Sequence, residues 1–209
     1  MSVAFPIDEI INSPSKLAIL RILTSRKGFK ATGREIAKLS GFSAPSTHDS
    51  LKELHVRDVL TLEIIGKQHV YSLNEENRVV QKIIRPIFRV EGGLKEEIRD
   101  FLIEEIRKAG IKKLLASLIL YGSVQSGAAR RGSDVDIAVV VLRAANVEKV
   151  TDVFLSDCAP RFKAYFGAQL DVYIKSAAEF RERLKKNKPP VSTLMRSYSV
   201  LYGKEPLEI

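Results

Sequence analysis

The chain has 209 residues, room for one large domain or two small ones. Its formal net charge of +9 and pI near 9.6 favour a polyanionic partner such as DNA, RNA or a nucleotide, and neither half is an isolated basic tail. One cysteine, Cys158, excludes an internal disulfide and a Cys/His metal cluster; without a signal segment or a long apolar run, a soluble cytoplasmic protein with no membrane partner is expected.

Residues 14–25 place apolar side chains at helical spacing, and Pro14 suits a helix start. Thr32 with Glu35 three residues on is a capping-box pattern for a second helix, which Ser40-Gly41 should end. Ser43 is placed to cap a third helix running to about Val56, with Pro45 in its first turn. Leu60–Ile65 and His69–Leu73 alternate as strands do, and Gly66-Lys67-Gln68 reads as the hairpin loop between them.

Three helices followed by a hairpin resemble the winged helix-turn-helix domain, over about residues 12–75. The resemblance implies that the third helix enters the DNA major groove while the hairpin wing reaches the backbone. Leu51 and Leu54 would then anchor that helix in the core. Ala44, Ser46, Ser50 and Lys52 become candidates for its DNA-facing side, with Asp49 as an acid among them, and Lys67 and Gln68 at the wing tip become candidate phosphate contacts. His48, His55 and His69 are scattered and are read as surface or half-buried residues, not ligands.

Residues 75–90 carry an apolar stripe at helical spacing, through Val79, Val80, Ile83, Ile84, Ile87 and Phe88, with Pro86 expected to kink it. Such a stripe needs cover from the winged helix, from the C-terminal half of the chain, or from a second copy; a homodimer is expected. Gly92-Gly93 marks a boundary, and Leu94–Ala109 reads as the next helix. The expected domains are therefore 1–75 (winged helix), a linker helix at 76–92, and 93–209.

The stretch Leu118–Ile137 is the most informative. An apolar strand runs into Gly122-Ser123, and after ten intervening residues comes Asp134-Val135-Asp136. Side chains two apart on a strand point the same way, so both carboxylates would leave one sheet face while Val135 and Ile137 enter the core. Two close carboxylates repel, and a cation between them relieves that repulsion. A third acid, Asp171, lies in the strand-like segment Gln169–Ile174.

This order of strand, Gly-Ser, Asp-x-Asp and a later acid resembles the DNA polymerase beta-like nucleotidyltransferase superfamily, and within it the minimal nucleotidyltransferases. The resemblance spans roughly the last hundred residues. It implies that Asp134, Asp136 and Asp171 bind divalent metal, usually two Mg2+ ions, for in-line transfer of a nucleoside monophosphate from a triphosphate, ATP first among them, to a hydroxyl. Gly122 and Ser123 would hold phosphate, and Arg130 and Arg131 would neutralise it. The family often reads Gly-Ser-x-Ala-Arg-Gly here; Ser126 stands in place of that arginine, leaving Arg130 or Arg131 to take its part. Residues 176–187 read as a basic helix broken at Lys188-Pro-Pro190, and Val200–Gly203 resembles the terminal strand of the family.

The expected architecture is α+β: a winged helix-turn-helix domain, then a polymerase beta-like nucleotidyltransferase domain with a mixed sheet flanked by helices. The expected function is a DNA-binding protein with a Mg2+-dependent nucleotidyltransferase domain. Its acceptor would be a protein such as a toxin in an antitoxin-type role, a nucleic-acid end or a small molecule. The alternative is a transcription regulator whose second domain is a non-catalytic nucleotide sensor or scaffold.

Overall fold

The structure, a computed structural model, describes residues 6–130 and 132–209. The chain divides into two compact units at Gly93/Leu94.

In the first unit a short helix α1 (Ile7–Ile10) precedes α2 (Pro14–Thr24), which starts on Pro14 with the Ser13 hydroxyl accepting from the Lys16 N–H. A strand β1 (Lys30–Thr32) leads straight into α3 (Gly33–Ser40). Thr32 and Glu35 close the capping box, and Gly41 ends the helix at φ +72°, a conformation that glycine adopts without a Cβ clash. Ser43 caps α4 (Ala44–Val56). Strands β2 (Leu60–Ile65) and β3 (Gln68–Leu73) form the wing. Gln68 pairs with Ile65, so the loop is the two-residue turn Gly66-Lys67 and is shorter than the sequence suggests. The described strands pair in the order β1-β3-β2, all antiparallel. Helix, strand, two helices and a hairpin in this order make a winged helix-turn-helix.

The core of this unit gathers Ile19, Leu20 and Leu23 of α2 with Ile36, Leu51, Leu54, Leu60 and Tyr71. Val79, Val80, Ile84 and Phe88 complete it with Ile83 packed against them, so most of the stripe finds its cover here while Ile87 stays exposed. That segment begins as a π-helical turn (Val80–Ile84) and continues as α5 (Arg85–Gly92), with Pro86 at its start. Pro86 has no N–H for the ladder, and the wider turn before it lets the helix go on without that bond.

The second unit opens with α6 (Leu94–Lys108) and the fully buried strand β4 (Leu115–Tyr121). A short helix α7 (Gly122–Ser126) and a loop lead to β5 (Val135–Val141). Residues 147–166, about which the sequence raised no expectation, form α8 (Val147–Asp152), a π-helical stretch (Val153–Cys158) and α9 (Ala159–Phe166). Pro160 follows that stretch as Pro86 follows the other. Strand β6 (Leu170–Ser176), helix α10 (Ala177–Lys185), the short α11 (Val191–Leu194) and β7 (Tyr198–Gly203) complete the unit.

The described strands order as β6-β5-β4-β7, with β5 and β6 parallel and the other pairs antiparallel, which is a mixed sheet. One face packs Leu118, Leu120, Ile137 and Val139 against Ile98, Leu102, Phe154 and Phe162 of α6 and the 147–166 helices. The other packs Ile119, Ala138 and Val140 against Phe180, Val191 and Leu194. Two covered faces explain why β4 and β5 are apolar but for Ser117 and Asp136. Among the described residues no helix is long and apolar enough to cross a membrane.

Candidate functional site

The end of β4 sets the site. Tyr121 is the last strand residue, and Gly122 turns the chain into α7 at φ +75°. A Cβ on Gly122 would overlap the carboxylate of Asp136, meeting its Cγ at 2.7 Å. Glycine is thus required twice, by the backbone conformation and by the acid pressed against it. Just past the bend, the Ser123 N–H donates to that same carboxylate. That N–H is thereby engaged with Asp136.

Register brings distant residues into line. Tyr121 pairs with Asp136, Asp136 pairs with Asp171 on β6, and Tyr121 pairs with Tyr198 on β7. Paired residues share a sheet face, so Asp171, Asp136, Tyr121 and Tyr198 form one lateral row across the four strands. The row lies on the face that carries Ala138 and Val140, and its Tyr121 and Tyr198 belong to the cluster formed with Phe180, Val191 and Leu194. Asp136 is half-buried, while Asp171 and Asp134 are exposed. Val135 and Ile137 point into the core, as alternation requires. Asp134 lies one residue before β5.

The electrostatics are those of unrelieved like charge. Burial pushes the Asp136 carboxyl above the usual carboxylate range, the charges of Asp171 and Asp134 push it further, and the Ser123 N–H offsets part of this. Tyr121 is only 7% exposed. Its phenol is pushed up to about 12, first by burial and then by Asp136 and Asp171. Among the described residues, no lysine or arginine forms an ion pair with any of the three aspartates. Yet no three Asp, Glu, His or Cys groups among them converge tightly enough to hold one metal ion. Asp136 and Asp171 are register partners on adjacent strands, and the charge of Asp134 is felt at Asp136.

Arg130 and Ser133 are tied to each other ahead of β5. Ser133 Oγ accepts from the Arg130 N–H at 2.9 Å, and the Ser133 N–H donates back to the Arg130 carbonyl at 3.0 Å. The Arg130 side chain is exposed, and Arg131 lies outside the described residues. Ser126, in the place of the family's arginine, turns its hydroxyl onto the Ser123 carbonyl at 3.2 Å. Lys95 of α6 donates to the Gln125 carbonyl at 2.8 Å and fastens α7 from outside the motif. Sequence reading missed Tyr198 and Lys95, because nothing local marks a register or a helix-to-helix tie.

In the first unit, Ala44, Lys52, Lys67 and Gln68 are exposed and Ser46 is half-buried. Ser50 is a correction. It is 6% exposed, and its hydroxyl is 2.6 Å from that of Ser15 on α2. Thr47, Ser50, Leu51 and Leu54 form one helical stripe, and that stripe is the buried one. Ser50 therefore has no place on the DNA-facing side.

Residues 102–192 match the family model of the nucleotidyltransferase domain. No curated protein sequence matches the chain. Solved structures with some likeness include a predicted DNA-binding transcriptional regulator from E. coli, 22% identical over 42% of this chain and 87% of its own, with a TM-score of 0.36. NolR from Sinorhizobium fredii is 19% identical over 43% of this chain and 84% of its own, at 0.36. A toxin-antitoxin crystal structure with AMP-PNP is 18% identical over 51% and 74%, at 0.32. The strand, the turn and the paired acids all fall within the matched residues, and this stretch of the second unit is a nucleotidyltransferase domain.

Proposed function

We propose that this protein transfers a nucleoside monophosphate from a nucleoside triphosphate, ATP first, to a hydroxyl acceptor, and that its winged helix binds double-stranded DNA. The two roles fall to separate modules, with residues 1–75 reading DNA, 76–92 joining them and 93–209 carrying the chemistry. The observation that carries the reading is the register-paired Asp136 and Asp171, with Asp134 nearby, beside a Gly-Ser bend and with no ion pair to a basic side chain among the described residues.

The donor set suits Mg2+, a hard cation that takes carboxylate oxygens. Asp134, Asp136 and Asp171 would hold it, and when bound it supplies charge neutralisation for the phosphates and a more acidic acceptor hydroxyl. Gly122, lacking a side chain, keeps the floor beside Asp136 open. The Ser123 N–H fixes the Asp136 carboxylate, leaving the Ser123 hydroxyl for a phosphate oxygen. Arg130 and Arg131 would neutralise the triphosphate. Asp171, exposed on β6, would accept the proton of the acceptor hydroxyl.

The acceptor we favour is a partner protein, in the manner of a toxin modified by its antitoxin, with the protein acting as a homodimer on its operator. Incubation with labelled ATP and Mg2+ tests this. Wild type should label its acceptor, and Asp134→Asn and Asp136→Asn should lose about 100-fold or more. Equal labelling by all three would end the assigned metal role.

A second reading is a regulator that senses nucleotide without turning it over. The Ser126 hydroxyl, bonded to the Ser123 carbonyl where an arginine is usual, together with acids that do not close on one ion among the described residues, favours it. Calorimetry separates the two: nucleotide binding that shifts DNA affinity, with no label transferred, supports the sensor.

A further inference from the structure

The fold gathers residues that the sequence leaves scattered. Between the start of α3, the outer side of α4 and the wing lies a cavity of about 600 Å3. Arg34, His48, Lys67 and His69 line it, over a floor that includes Leu51 and Tyr71, and no aspartate or glutamate contributes to the lining. None of those four side chains makes a hydrogen bond or an ion pair among the described residues. Of the two acids adjacent to these residues in sequence, Glu35 is spent on the Thr32 N–H and hydroxyl in the capping box, and Asp49, exposed beside His48, does not line the cavity. Positive charge is concentrated in the lining, and no acid shares it.

The volume is that of a small-molecule site, and the division into a basic rim and an apolar floor selects an amphipathic anion. Two cations and two imidazoles around one opening offer more donors than a single carboxylate can use, whereas a phosphate dianion takes them all. Leu51 and Tyr71 give a flat organic body something to lie on, which inorganic phosphate lacks. Gly33 keeps this floor uncovered: a Cβ there would stand 3.5 Å from Leu51 Cδ1 and 3.8 Å from Tyr71 Cε2.

We propose that this cavity binds a nucleoside phosphate, with the phosphate held by Arg34 and Lys67 and the base over Leu51 and Tyr71. This site is separate from the acids of the second unit and requires no metal. Ala44, Lys67 and Gln68 also line the cavity, so an occupant would compete with duplex DNA. That consequence rests on the DNA-contact reading; binding itself does not.

The test uses the full chain in excess chelator, which leaves the carboxylate site without metal. Calorimetry should find that ATP and AMP bind, while adenosine and inorganic phosphate are each at least about tenfold weaker. Arg34→Ala should weaken AMP by about tenfold or more, and Arg34→Lys by less. Gly33→Leu keeps every charge and fills the cavity, so it should abolish binding in a protein whose circular dichroism is unchanged. Hydrogen exchange on adding AMP should slow at residues 32–34 and 67–71. The proposal is overturned if no nucleotide binds in chelator, if protection appears at 122–136 instead, or if both variants bind like wild type. It is equally overturned if Arg34→Ala weakens only duplex DNA and no nucleotide binds, since the cavity is then a backbone contact alone.

Discussion

Lys16 in the first unit and Asp136 in the second are both charges drawn out of water, and the two units treat them in opposite ways. Lys16 is 2% exposed, and its ammonium meets the Glu9 carbonyl at 3.0 Å, Asn12 Oδ1 at 2.9 Å and Glu53 Oε2 at 2.5 Å. Three acceptors take its three protons, and the contacts fasten α1 and α4 to α2. Asp136 receives one N–H and faces two like charges. A charge whose every partner belongs to its own unit is finished structure. One left in deficit marks a place where the protein expects something it does not itself contain.

The contrast breaks first at Lys16. Lys16→Ala should destabilise the first unit by about 3 kcal/mol, because it strands three oxygens around a vacated position. Hydrogen exchange across residues 14–56 measures it, and a loss near zero would mean that the ammonium is incidental. Asp136→Asn should do the reverse. Asparagine still accepts from Ser123 but removes the repulsion, so the metal-free second unit should melt higher than wild type. Wild type should gain about 2.7 kcal/mol when Mg2+ or Mn2+ stands at a hundred times its dissociation constant, and the variant should gain little. A variant that melts lower without metal, or gains as much with it, would show that Asp136 is ordinary structure.

The same contrast governs what could be read from the sequence. Thr32 with Glu35, Ser43 with Pro45, and Gly41 act on backbone within four residues, so their helices were legible at both ends. The acids of the second unit were legible as residue types, since Asp-x-Asp after Gly-Ser has few structural uses. Their lateral row with Tyr121 and Tyr198 was not, because it exists only once four strands separated by many residues have chosen a register. Ser50 failed for a related reason: polarity suggested an outer face, while its helical phase with Leu51 and Leu54 placed it inside, where Ser15 meets its hydroxyl. The two π-helical stretches are announced only by Pro86 and Pro160, which signal an interruption but not its form.

Gly122 sharpens the comparison from the backbone side. Gly122→Ala forces a Cβ into the Asp136 carboxylate and strains a left-handed residue, at a cost of about 1–3 kcal/mol. If the bend exists to serve Asp136, then Gly122→Ala combined with Asp136→Ala should cost less than the two changes summed. Strict additivity in that cycle would assign the strain to the backbone alone.

Glu105 supplies the smallest effect and a control for sign. It sits on the buried stripe of α6 with Ile98, Leu102 and Ile106, and it accepts from Arg161 at 2.8 Å and Lys108 at 3.2 Å. Burial alone would push its carboxyl up, but these two cations prevail and hold it below the usual range. A carboxyl lowered in the folded state stabilises above its unfolded-state pKa, and that contribution disappears as pH falls through the folded value. Asp136, raised instead, costs stability above its folded value and gives that cost back on acidification. Glu105→Gln should therefore lose about 1 kcal/mol at neutral pH, since Arg161 is largely exposed and screened. In chemical denaturation of the second unit, wild type and variant should converge toward the acid end. A gap of constant size at every pH would mean that the substitution disturbed packing along α6, and that the ion pairs contributed nothing of their own.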